Sequence, residues 1–201
     1  MRMLLIESEP SAGDAVAAGL VDTGHTLVRC HPQGAAAFPC VALQAARVCP
    51  LDTGDVDVTV TVRNPGASAV SAGEAGVTCS MRRGVPVVAV GDPHDAFSGL
   101  ATRAGPGEDV AAVCGRAVAA ANDRLTVPVR REVDHMLESA GLAGTESRVE
   151  VFREGPVLRL RVLVDPATPA ALRNVIAVRA HGVLRRTAVE AAVIDIAVGD
   201  R

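Results

Sequence analysis

At 201 residues and a formal net charge of −3, the chain has room for two modest domains and lacks the basic excess that general polyanion binding requires. Hydrophobic residues make up 49% and charged residues 21%, a balance that excludes default disorder. Three Phe with no Trp or Tyr leave almost no stacking platform for nucleic-acid bases, and no run approaches the roughly 18 apolar residues of a membrane span.

In chain order, Met3 to Ile6 reads as a short strand buried on both faces. It leads through Pro10 into a helical pattern at Ala15, Ala18 and Leu20 that stops at Gly24. Thr26 to Cys30, Val56 to Val62 and Val85 to Val90 read as further strands, the last preceded by a helix ending at Gly84. Ala101 to Ala104 is a short fifth strand, and Glu108 to Ala121 an amphipathic helix. Alternating strands and helices imply a parallel sheet with right-handed crossovers, covered on both faces. The opening residues carry no cleavable signal pattern, so a cytoplasmic protein is expected. All 20 basic residues are Arg, which reads as the coding bias of a GC-rich bacterial genome.

The segment Met1 to Pro10, MRMLLIESEP, resembles the opening of response-regulator receiver domains, and element order extends the likeness over residues 1–122. The resemblance implies a flavodoxin-like fold. It also implies two acids after the first strand that hold Mg²⁺ and a phosphate-accepting Asp ending the third strand. A Ser or Thr ends the fourth strand of such domains, and a Lys ends the fifth. Here the acidic pair corresponds to Ser8 and Glu9, with Glu7 alongside. Arg63 and Asn64 stand where the acceptor should be, the fourth strand ends in Val90-Gly91, and the chain has no Lys. A pseudo-receiver that cannot be phosphorylated is therefore expected. Arg63 is expected either to pair with Glu7 or Glu9 or to remain solvated, and Asp55 and Asp57, at the start of the third strand, to lie at the opposite sheet edge.

Five Cys in a reducing compartment read as free thiols, metal ligands or redox groups rather than structural disulfides. Cys30, Cys40, Cys49 and Cys79 fall close together in sequence, the first three in or beside a Gly- and Pro-containing segment where a receiver has its second helix. Gathered thiolates can bind zinc or an iron-sulfur cluster, with His31 able to replace one sulfur. Cys49-Pro50 is also similar to the Cys-Pro pair of bacterial ferredoxins. No pair shows C-x2-C spacing, however, so buried or redox-reactive thiols are the other reading. Cys114 is expected in the core, His25 as a surface cap and His94 as the cap of the next helix.

A boundary is expected at Asn122 to Pro128, where one helix ends and Pro introduces another, giving domains 1–122 and 123–201. Residues 1–123 hold 8 Arg against 13 acids, a net of −5, and residues 124–201 hold 12 against 10, a net of +2. A helical stripe at Val129, Val133, Met136, Leu137 and Ala140 stops at Gly141. Arg148 to Arg153 and Val157 to Val164 form a hairpin. A helix from Pro169 to Arg186 and a strand from Val193 to Val198 complete a small α+β domain. Its apolar strand pair and following helix resemble the alkaline-shock, or envelope-stress-response, protein family, which implies an interaction domain with no catalytic residues to transfer. Arg148, Arg159 and Arg161, with Arg173, Arg179, Arg185 and Arg186, either receive an acidic partner or form a solvated face mixed with Glu150 and Glu154.

No GxxxxGK[ST], GxGxxG after a strand, HExxH or GxSxG occurs. The expected function is a non-catalytic regulatory or sensing module, with a Cys-ligated metal or cluster site coupled to an interaction domain that dimerises or takes a protein partner. A structural or assembly protein with buried thiols and no cofactor is the alternative, and an enzyme of unrecognised class the third.

Overall fold

A computed structural model describes residues 1–201 except 35–36, 44–47, 67–68, 155–156, 189–190 and 192. Two compact units divide it, Met1–Ala119 and Ala120–Arg201. In the first, strands β1 (Arg2–Glu7), β2 (Thr26–Arg29), β3 (Val58–Val62), β4 (Val87–Val90) and β5 (Thr102–Ala104) form one sheet in the order β2-β1-β3-β4-β5. Every pair is parallel, the flavodoxin-like arrangement expected from the alternation of elements. The helices are α1 (Asp14–Asp22), α2 (Ala75–Arg82), α3 (Asp95–Ser98) and α4 (Val110–Ser139).

The central strands β1 and β3 are buried on both faces because helices or loops cover both, and Thr59 of β3 satisfies its hydroxyl by donating to Ser80 Oγ. Met3, Leu5, Val58 and Val60 pack with Ala17 and Leu20 of α1 and with Val113, Cys114 and Ala117 of α4. Leu4 and Ile6 point the other way, into a cluster with Cys30, Leu51, Val77 of α2 and Phe97 of α3. Between β2 and β3, the described residues hold two 3-10 turns, Val41–Leu43 and Pro50–Asp52, and no α-helix. His94 caps α3 as expected, its Nδ1 accepting the Ala96 N–H, and Asp109 accepts the N–H groups of Ala111 and Ala112 at the start of α4.

The expected helix boundary is not found. The helix beginning after Asp109 does not stop at Asn122, and α4 runs unbroken through Pro128 to Ser139. Proline inside a helix loses the bond to the carbonyl four residues back and costs about 3 kcal/mol. Apolar residues on both sides of it, Leu125, Val129 and Val133, pack into a single core, and that burial outweighs the local rule. The helix ends in a left-handed Gly141, with the Leu142 N–H bonded back to Leu137.

In the second unit, β6 (Arg148–Glu154) pairs antiparallel with β7 (Val157–Val164). After α5 (Ala170–Thr187), β8 (Val193–Asp200) returns parallel to β7, so the order is β6-β7-β8. Val149, Val151, Leu158, Leu160, Val162 and Val164 bury one sheet face against Ile176, Ala180 and Leu184 of α5 and the later turns of α4. Among the described residues, no helix is long and apolar enough to cross a membrane.

Candidate functional site

In open parallel sheets, ligands and chemistry gather at the carboxyl edge, where loops leave the strands in opposite directions. At that edge β1 ends in Glu7, followed by Ser8 and Glu9. Arg29, ending β2, bonds Glu7 and lies 2.6 Å from Asp14 at the start of α1. The Gly13 N–H donates to Glu7 Oε1 at 2.9 Å, and Gln33 donates to Asp14. The Arg29 hydrogen bond holds the Asp14 carboxyl below its usual range, against an opposing desolvation. Burial pulls Arg29 downward, but its bonds to Glu7 and Asp14 outweigh that and leave it raised. One guanidinium thus clamps two acids.

At the end of β3, Arg63 pairs neither as Glu7's nor as Glu9's partner but with Glu74, at 2.5 and 2.7 Å. Both side chains are buried, 6% and 2% exposed, so the alternative of a solvated Arg63 fails as well. The cause is local. Ser71-Ala-Gly-Glu74 forms a capping box before α2, in which Glu74 Oε2 accepts the Ser71 N–H and Ser71 Oγ accepts the Glu74 N–H. That fixes the carboxylate beneath the end of β3, where a cation must meet it. Asn64 donates to Glu9 Oε2 at 2.7 Å, and its N–H to Ser8 Oγ. Salt bridges and the hydrogen bonds of Asn64 thus fill this carboxyl edge of the sheet. Gly73 holds this packing together, since a Cβ there would stand 2.1 Å from the Glu7 carbonyl oxygen. At the other end of the sheet, Arg2 pairs with Asp55 at 3.1 Å and its N–H donates to Asp57, placing both acids away from this edge.

A cavity of about 50 Å³ lies beside β1, lined by Glu7, Ser8, Glu9, His31 and Pro32, and is roomy enough for a water molecule. Burial pushes the His31 imidazole below its ordinary value, and its Nδ1 is buried with no hydrogen-bond partner among the described residues.

All five cysteines are free thiols. Cys30 follows β2 and is buried, with its Sγ 2.9 Å from where a Cβ on Gly76 of α2 would stand. Cys79, three residues further along α2, is exposed, whereas Gly76, Val77 and Ser80 form the buried side of that helix. Cys40 and Cys49, half-buried, precede the two 3-10 turns, and Cys49 packs on the cluster that contains Cys30. Burial, with smaller contributions from Cys49, Cys40 and Cys79, pushes the Cys30 thiol up to about 12. Burial also raises Cys49, with Cys40 and Cys79 again contributing. Of the four expected site cysteines, Cys30 and Cys49 share one apolar cluster. Among the described residues, no three His, Cys, Asp or Glu side chains are already set around one point as ligands of an ion. Cys114 is fully buried on the opposite sheet face, as expected for a core thiol.

The arginines of the second unit mostly have local partners. Arg148 and Arg161 meet Glu150, Arg159 meets Asp195, and Arg173 meets Asp200 and the carbonyl oxygens of Pro166 and Thr168. The Arg161 guanidinium also lies over the Phe152 ring, 5.9 Å from its centre. No protein-family model matches the chain, and no curated protein matches it.

Proposed function

We propose that the protein is a non-catalytic regulatory module, a receiver-like domain that is not switched by phosphorylation, followed by an interaction domain. The observation that carries this reading is the substitution of internal pairs for receiver chemistry at one sheet edge: Arg29 with Glu7 and Asp14, Arg63 with Glu74, and Asn64 with Glu9. Each pair occupies groups that metal or phosphate would need. Incubation with acetyl phosphate is expected to leave the intact mass unchanged, whereas a hydroxylamine-sensitive adduct of one phosphate would overturn the proposal.

Signal output then belongs to the second unit, which among the described residues offers a protein partner or a second copy two outer strands, β6 and β8. The β8 edge suits that role better. Its eight residues include only two charged side chains, Asp195 and Asp200, and both are paired within the chain. Self-association is expected as a dimer in light scattering, and a monomer at high concentration would remove that part of the reading.

A further inference from the structure

We propose that the β8 edge takes the β8 edge of a second copy, antiparallel about a two-fold axis at Ile196, so that two three-stranded sheets join into one of six strands. This pairing rests on the reading of the second unit as an interaction domain and names its partner. Among the described residues, β8 pairs with β7 alone. The Arg201 N–H donates to the Val164 carbonyl oxygen, and Val164 stands in register with Asp200. Alternate residues of a parallel strand turn both backbone groups to the same neighbour, so the odd-numbered positions of β8 bond β7. The N–H and C=O groups of Ile194, Ile196 and Val198 therefore point outward, a row of donors and acceptors that an added strand satisfies.

Charge and burial select the partner and its register. Residues directly opposite in an antiparallel pair share one sheet face, so the inner residues Ile194, Ile196 and Val198 must meet one another. An axis at Asp195 sets that carboxylate against its own copy, and an axis at Ala197 sets Ile194 against Asp200. The axis at Ile196 avoids both. It opposes Ile196 to Ile196, Ile194 to Val198 and Asp195 to Ala197, with no like charges facing. All three inner residues pack, half-buried, on the core of their own unit, so pairing covers apolar surface that the edge leaves to solvent. Each of their pairs also exchanges two N–H···O=C bonds. The other outer strand, β6, is RVEVFRE, whose alternating charges guard its edge. Pairing of β6 with β8 would in addition be head-to-tail, and would grow into open filaments instead of closing.

The test uses full chains carrying either Asp195→Cys or Ala197→Cys, both at exposed positions. Mixed and oxidised with glutathione disulfide, they are expected to form a dimer in which peptide masses join position 195 to position 197. Opposed Cα atoms in such a pair stand about 4.5 Å apart, within disulfide range. Neither variant alone should link through its new cysteine, because like positions are diagonal neighbours about 7–8 Å apart. Peptide mapping separates this link from any through the exposed native Cys79. Ile196→Pro removes an outward donor from each copy and keeps the ladder to β7, a position where an edge strand tolerates Pro. It is expected to raise the dimer Kd about tenfold or more with unchanged circular dichroism. Should that variant not fold, the cross-link decides. A dimer without the 195–197 link overturns this pairing and leaves self-association standing, as do species that keep growing with concentration. A monomer at high concentration overturns both, and none of these outcomes bears on the acetyl phosphate result.

Discussion

Arg63→Met is expected to lower stability by about 3–5 kcal/mol, because it leaves the Glu74 carboxylate buried without its cation. The pair is 6% and 2% exposed, so solvent cannot take over. The same reasoning assigns the loss to the stranded charge rather than to the bond itself. Adding Glu74→Gln to Arg63→Met removes that charge while the amide oxygen still accepts the Ser71 N–H, so the double variant should regain at least half of the deficit. Urea denaturation with unchanged slope measures both. A single-variant loss under about 1 kcal/mol, the range of exposed pairs, would show that the pair is not buried in solution.

Gly73→Ala is the second large effect. The added methyl would stand 2.1 Å from the Glu7 carbonyl oxygen, a backbone atom that cannot rotate away. Either α2 or the loop after β1 must shift, and each route disturbs the capping box that orients Glu74. Overpacking of this kind typically costs about 1–3 kcal/mol, and the backbone contact places this case at the upper end or beyond. Gly99→Ala, where an added Cβ meets nothing within 4 Å, is the control. Equal melting temperatures for the two variants would contradict the packing described here.

Much of the fold was legible because the strands of the first sheet are short and bounded by turn residues, and β1 and β4 are almost wholly apolar. Met3 to Ile6 and Val58 to Val62 are buried along their whole length, the pattern that marks a doubly covered parallel sheet. The helix through Pro128 was not legible, since a local rule about proline loses to packing by Leu125, Val129 and Val133 that only the tertiary structure reveals. Arg63's partner was readable in principle. Ser71-Ala-Gly-Glu74 is a capping-box pattern, which places a fixed carboxylate before α2, although Glu7 and Glu9 lie nearer the receiver-like position in the sequence pattern. Cys30, Cys40, Cys49 and Cys79 stand out by their closeness in the sequence. Cys30 packs against Gly76 of α2, a contact that no spacing rule encodes.

The charged ends of β1 have a further consequence for how the chain finds its alignment. Four successive apolar residues, Met3 to Ile6, fill cores on both sides of the sheet, so sliding this strand by one position would trade one set of oily side chains for another at small hydrophobic penalty. The ends do the discriminating. Arg2 is tethered to Asp55 and Asp57, and Glu7 to Arg29 and Gly13, and a slip of one residue would break every one of these bonds together. Polar residues at the margins thus act as the ratchet stops of a strand whose greasy middle is indifferent to position.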